Sequence, residues 1–282
     1  MHSEVIYCTG LSGFIGKNLL PILLRKYSQV INFRRNNTFE IYKTDGSIQR
    51  IENNKFQNVK GRKIFINLAA LYKQNPENLN DLSDLYESNA VLPIKIIEEL
   101  IGSDQLKIIQ ISSYFQLLDL ELQTPYSLTK SLATKYIKQN YKNSSFVYLF
   151  DTFGSNDNRN KVIDTFIKRI LKKMPIQIPK SEVFINISHV EDVCEAIFNC
   201  LNLPAMDYCV MSKNTLSLRQ IAFEIMNILE SKVEIHEFHS NQNYLSNLKV
   251  DQLPKNLFPT LKNKNFREQL LSRIKEIEEL SL

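Results

Sequence analysis

The chain contains only seven glycines in 282 residues, and three of them, Gly10, Gly13 and Gly16, stand together in TGLSGFIG at 9–16. That stretch follows a short apolar run, EVIYCTG (4–10), and opens a segment (14–27) where Ile15, Leu19, Leu20, Leu23 and Leu24 recur at helical spacing. A strand that turns into a helix through glycines aims backbone N–H groups and the positive end of the helix dipole at an anion. Gly10 permits the tight turn, Gly13 lets a phosphate approach the backbone, and Gly16 lets helix and strand pack closely. Gly10, Gly13, Phe14, Ile15 and Gly16 are therefore the expected pyrophosphate loop of a dinucleotide site. Pro21, inside the helical segment, is expected to bend it or cost it a hydrogen bond.

Further apolar runs follow: QVINF (29–33), KIFINLAA (63–70), KIIQISS (107–113) and FVYLFD (146–151), with helical segments at about 80–102, 126–142 and 161–174. Continuous apolar strands alternating with helices imply an α/β fold, a Rossmann-type doubly wound parallel sheet covered on both faces. After about residue 152 short strands (IQIP, VFINIS, YCVMS, KVEIHEF) mix with helices at about 190–202, 217–230 and 264–281. This pattern predicts a dinucleotide-binding domain over 1–154, with 183–204 returning to it. A smaller α+β lobe takes up 155–182 and 205–282.

The end of the second strand bears on cofactor choice. Enzymes that use NAD usually carry an acidic residue about 20 positions after the glycines, bonding the ribose 2′-hydroxyl. Here Arg34 and Arg35 stand in that place, and no acidic residue occurs over 29–39. A guanidinium binds a 2′-phosphate that a carboxylate would repel, so the expected cofactor is NADP(H). A solvated arginine pair is the plainer alternative.

A second constellation is TPYSLTK at 124–130. Thr124 suits a helix cap and Pro125 a first turn, which puts Tyr126 and Lys130 on one helix face. A neighbouring ammonium favours a phenolate and makes a tyrosine a usable acid/base at neutral pH. Alone the pair could be a surface contact. It follows a strand ending in Ser112-Ser113, however, and strand C-termini are where such sheets place ligands. Either serine could steady a carbonyl oxygen that Tyr126 protonates.

Composition narrows the rest. Hydrophobic residues make up 43% and charged residues 23%, enough for a sizeable core, and the +5 net charge is spread along the chain. No concentrated basic stripe suggests nucleic acid, and no apolar run suggests a membrane span. The four cysteines, Cys8, Cys194, Cys200 and Cys209, have no CxxC spacing, and no signal peptide is evident, so a reduced, cytoplasmic protein is expected. His236 and His239, three apart on a strand, would face opposite ways, so no metal site is expected. The C-terminal run FREQLLSRIKEIEELSL reads as an amphipathic helix closing the lobe.

Taken together, these motifs resemble the extended short-chain dehydrogenase/reductase family of the NAD-dependent epimerase/dehydratase type. They are TGLSGFIG at 9–16, NLAA at 67–70, Asn89 in YESNAVLP, ISS at 111–113, YSLTK at 126–130 and HVEDV at 189–193. The resemblance implies Ser113, Tyr126 and Lys130 as the catalytic set, and Leu68, Ala69 and Ala70 with Tyr126 and Lys130 as cofactor contacts. It gives His189 and Asp192 a largely structural or substrate-lobe role. LFDTFGSNDNRNK (149–161) is similar to reductases of CDP- or dTDP-linked 4-keto-6-deoxysugars, a cytoplasmic step toward surface polysaccharide such as lipopolysaccharide. Ser113, Tyr126, Arg159 and Lys161 would meet that substrate, the last two through its diphosphate. Tyr114 and Phe115 stand where the family's dehydratases carry an Asp-Glu pair, which leaves reduction of a ketone. A nucleotide-sugar 4-epimerase or a non-catalytic NADP-binding regulator are the rivals. The family habit implies a homodimer through 86–101 and 126–142, with Leu92, Ile96, Leu132 and Ile137 available to pack.

Overall fold

The computed structural model describes residues 4–35, 38–52, 61–73, 75–101, 106–239, 245–248, 250–257 and 265–280. β1 (Glu4–Thr9) runs into α1 (Phe14–Leu24), which continues through Pro21. Then come β2 (Gln29–Phe33), β3 (Thr38–Lys43), β4 (Ile48–Glu52) and β5 (Arg62–Asn67). The long helix expected at 80–102 is instead α2 (Leu79–Tyr86), a π-helical turn (Glu87–Val91) and α3 (Leu92–Leu100), residue 102 lying outside the described residues. β6 (Leu106–Ser113), α4 (Pro125–Asn140) and β7 (Ser144–Leu149) complete the first half. The second half comprises β8 (Asp151–Phe153), α5 (Val162–Leu171), β9 (Ile176–Pro179), β10 (Phe184–His189) and α6 (Val190–Cys200). After these come β11 (Asp207–Val210), β12 (Thr215–Ser217), α7 (Leu218–Ile228), β13 (Ile235–Phe238), β14 (Lys255–Asn256) and α8 (Phe266–Glu279).

Nine strands form the main sheet in the order β14-β11-β7-β6-β5-β1-β2-β3-β4. Every pairing from β14 to β2 is parallel, as the apolar runs predict. Beyond β2 the sheet changes character: β3 and β4 are antiparallel additions joined at a turn where Gly46 takes φ +82°. β8, β10 and β12 make a small separate sheet, and β9 pairs with β13.

Side chains alternate along β1, so Ile6 and Cys8 face one core while Val5 and Tyr7 face another. The first core is closed by α1 and α6, the second by α3 and α4. Strand-opening lysines fasten helices to each face. Lys63 Nζ donates to the Leu100 carbonyl (3.1 Å) at the end of α3. On the other face Lys107 Nζ donates to the Cys200 (2.9 Å), Leu201 (3.1 Å) and Leu203 carbonyls at the end of α6. Each ammonium meets carbonyls at or just beyond the C-terminal end of a helix, where the dipole favours a cation.

A third core belongs to the smaller lobe, where α5, α7 and α8 surround Ile167, Ile187, Ile225 and Ile274. Arg273 of α8 donates to the Asp164 carboxylate and to the Asp157 carbonyl (2.7 Å), and Gln269 donates to Asp192 of α6 (2.7 Å). β11 and β14, which fall within 205–282, lie in the main sheet; of 183–204, β10 lies in the small sheet while α6 packs on the main sheet's first core. Short strands of four or two residues carry no periodicity that tells one sheet from another.

Candidate active site

The site lies at the C-terminal ends of β1, β2, β5 and β6. Gly10 takes φ +72°, and a Cβ on it would stand 2.7 Å from the Ala69 backbone nitrogen. A Cβ on Gly16 would collide with the Gly10 carbonyl and Leu11, while one on Gly13 would sit 3.2 Å from the Gly10 oxygen. Gly13 is also the cap of α1 and has no side chain to satisfy the first-turn N–H groups. These residues keep open the anion cradle that a dinucleotide pyrophosphate fits.

Around the cradle the strand ends are tied together. The Ala69 N–H donates to Thr9 Oγ1 (3.1 Å), and Asn67 Nδ2 donates to Gln110 Oε1 (2.8 Å). Leu68 is partly buried on the α1 side and Ala70 is exposed, so 68–70 forms one rim of the cradle. Phe14 begins α1 and Ile15 packs beside it against the same core.

Asn89 sits on the π-helical turn, buried. Its amide accepts from the Leu71 N–H (2.8 Å) and donates to the Leu71 carbonyl (3.0 Å) and to Thr129 Oγ1 (3.2 Å). One side chain thus holds the segment after 68–70 against α4, a use of a π-bulge at a functional site.

α4 begins at the cap Thr124, with Tyr126 in its first turn and Lys130 one turn on. Ser113 is fixed by a capping box: its hydroxyl accepts from the Phe115 N–H (3.4 Å) and its own N–H donates to Gln116 Oε1 (2.9 Å). That fixed hydroxyl lies near Tyr126 and favours the ionised form of its hydroxyl. Ser112, one residue earlier on β6, is buried with its hydroxyl unpartnered. Strand alternation thus brings Ser113, not Ser112, to the tyrosine.

Lys130 Nζ lies 5.9 Å from the centre of the Tyr126 ring, and Tyr72 meets that ring edge-on at 4.9 Å. Burial is the largest influence on both groups. It lowers Lys130 to about 8. It pushes the Tyr126 hydroxyl up, as does Tyr72, against the Arg159 charge and the Ser113 hydrogen bond. The spacing alone predicts a tyrosine made more acidic by its lysine; in this fold burial outweighs that.

Arg159 packs its guanidinium on the Phe14 ring (4.1 Å) and pairs through Nε and Nη2 with Asp157 (2.8 and 2.7 Å). Lys161 Nζ stands 3.9 Å from the centre of the Tyr72 ring. Between them in effect is Asp151 of β8, whose carboxyl burial pushes up to about 6 while Lys161 and Arg159 pull it down. Arg159 and Lys161 therefore border both the glycine loop and the aromatic pair at the catalytic helix. Asp151 and Tyr72 were not expected there; nothing in the local pattern distinguishes them from strand and loop residues.

At the far end of the cleft the two arginines diverge. Arg34 Nη1 bonds Glu40 Oε2 (3.3 Å), whereas Arg35 Nη2 reaches Ser88 (3.0 Å). Glu40, buried on β3, also accepts from Arg50 Nε (3.0 Å), Tyr42 (2.8 Å) and Asn32 (3.5 Å). Burial pushes its carboxyl up, but the Tyr42 bond, the Arg34 charge and the Arg50 and Asn32 bonds prevail and hold it below the usual carboxylate range. This acidic residue lies one position beyond the window that reads as lacking acids.

His189 and Asp192 are structural: His189 caps α6, its Nδ1 accepting from the Glu191 N–H, and Asp192 accepts from Gln269.

The parallel sheet and its glycine loop define a protein of the class that binds a nicotinamide dinucleotide. The chain belongs to the NAD dependent epimerase/dehydratase family, whose model matches residues 6–207. It is similar to a CDP-abequose synthase of Yersinia pseudotuberculosis, 28% identical over 205 residues that cover 68% of this chain and 71% of that protein. Among solved structures, the UDP-glucuronic acid 4-epimerase of Bacillus cereus, in complex with UDP-4-deoxy-4-fluoro-glucuronic acid and NAD, superposes with a TM-score of 0.78 at 15% identity, covering 98% of this chain and 99% of that one. RMD from Pseudomonas aeruginosa, complexed with NADPH, gives 0.72 at 17% identity, with 99% and 100% covered. No helix among the described residues is long and apolar enough to cross a membrane.

Proposed function

We propose that this chain is an NADP(H)-dependent reductase of the 4-keto group of a CDP- or dTDP-linked 4-keto-6-deoxysugar. The observation that carries the reading is the buried Tyr126 hydroxyl, beside Ser113 and one helical turn from a buried Lys130. The named relative, a synthase of a CDP-linked sugar, supports the substrate class.

When bound, the nicotinamide supplies a hydride to the sugar's keto carbon. Tyr126 gives its proton to the keto oxygen, which Ser113 steadies by a hydrogen bond. A protonated tyrosine is the form that reduction needs. Lys130 stabilises the phenolate left behind by its charge and holds the cofactor ribose. The three glycines cradle the pyrophosphate, Arg34 favours the phosphorylated ribose, and Arg159 and Lys161 anchor the sugar's diphosphate.

Exposed Leu128 and Leu132 on α4, beside exposed Leu79, Leu82 and Tyr86 on α2, give the chain an apolar face suited to a homodimer. Of the four side chains expected to pack between copies, Ile96 and Ile137 lie in this chain's own core and Leu92 packs against it; Leu132 is exposed.

Incubating purified protein with NADPH and a panel of 4-keto-6-deoxy nucleotide sugars should oxidise one NADPH per sugar reduced. Interconversion of 4-epimers without net NADPH loss would replace this reading with an epimerase.

A further inference from the structure

β2 ends at the cradle, and the sheet continues beyond it not with another parallel strand but with the β3–β4 hairpin. The hairpin brings Glu40 and Arg50 opposite one another, and Glu40 opposite Asn32. Asn32 in turn accepts from the Leu11 N–H of the glycine loop (3.3 Å), so the cluster is joined to the loop through two hydrogen bonds. Its members face a cleft of about 330 Å³ lined by Arg34, Thr38, Glu40, Arg50, Ile51 and Glu52.

Glu40 is buried and each of its oxygens holds one guanidinium, Arg34 on Oε2 and Arg50 on Oε1. Each arginine spends one nitrogen on that carboxylate and has five N–H donors in all, so each keeps donors for a second anion. Arg35, the other basic residue of the pair, is engaged with Ser88. Glu52 shares the cleft, but its side chain is exposed and its charge is screened by water.

We propose that Arg50 is a second specificity-determining residue, which with Arg34 grips the ribose 2′-phosphate of NADP(H), and that Glu40 is the positioning residue holding both guanidiniums. This rests on the NADP(H) reading above and deepens it: selection comes from two strands, one of them a hairpin strand remote in sequence from the glycines. Two guanidiniums on one carboxylate are pre-spaced, so little side-chain freedom is lost when the phosphate arrives.

The test is a set of fluorescence titrations of the full chain with NADPH and with NADH. Arg50→Ala should weaken NADPH about tenfold, the size of one charge-assisted contact, and leave NADH unchanged. Arg34→Ala should do the same or more. Glu40→Gln should lower the NADPH/NADH ratio while NADH affinity holds, a split that the loss of stability expected from its broken ion pairs would not by itself produce. If Glu40→Gln fails to fold, the Arg50→Ala ratio decides alone, since Arg50 is mostly exposed. A parent protein with no NADPH preference overturns the cofactor reading and this proposal with it. A parent that prefers NADPH, with Arg34→Ala losing the preference and Arg50→Ala keeping it, overturns this proposal only.

Discussion

The surroundings of Tyr126 and those of Arg34 are built on opposite principles. At the catalytic end, Ser113, Tyr126 and Lys130 are 9% exposed or less, and geometry is set by caps and neutral hydrogen bonds. Beyond the end of β2, Arg34 and Arg50 are 39% and 78% exposed and are organised by ion pairs to one buried carboxylate. Where a proton must move, burial fixes which groups carry charge. Where a charged cofactor must be chosen, solvated cations cost little to keep and are easily varied.

Substitutions at the catalytic end test this most severely. Tyr126→Phe removes the proton donor with little change of volume, so single-turnover NADPH oxidation should fall roughly 10²–10⁴-fold while NADPH binding survives. An unchanged rate would remove Tyr126 as the acid.

Lys130 separates chemistry from stability. Its pKa is lowered to about 8 in the fold, so the unfolded chain binds more protons between about 8 and the ordinary lysine value. Below that window the buried ammonium is charged in both states and costs stability. Lys130→Met should therefore abolish most turnover and weaken NADPH, yet raise Tm at neutral pH. In the parent, turnover should decline as pH rises through about 8, where the ammonium loses its proton. A Tm that drops in Lys130→Met would show the charge to be structurally paired.

Arg159→Ala is expected to act in between, raising KM for the nucleotide sugar several-fold with NADPH affinity intact. If NADPH affinity falls instead, its stacking on Phe14 serves the cofactor loop. The mildest effect belongs to the outer face: Leu132→Asp should shift a dimer toward monomer in sedimentation with little loss of turnover per chain at high concentration.

Much of this was legible before any coordinates. The glycine spacing located the cradle, because only glycine tolerates the backbone approach at Gly10 and Gly16. The apolar runs located five strands of the main sheet's parallel part and the helices between them. The hairpin β3–β4, which carries Glu40 and Arg50, has a weaker signal: Phe39 and Ile41 alternate with polar residues before Asp45-Gly46, a common hairpin turn pair. The π-turn at Glu87–Val91 was not legible, since one extra residue in a turn leaves the apolar pattern almost unchanged. Nor was the strength of burial around Tyr126, which depends on Tyr72 and Ser113 arriving from other elements.

The route of the chain between its two lobes constrains how the enzyme can move. It leaves the main sheet from β7 to β8, returns from β10 to α6, leaves from β11 to β12, returns to β14, and leaves again for α8. A chain stitched back and forth in this way joins the two bodies at several crossings, so any motion between them must bend all of those crossings together. No single cut in the sequence would release either lobe as an independently folding piece.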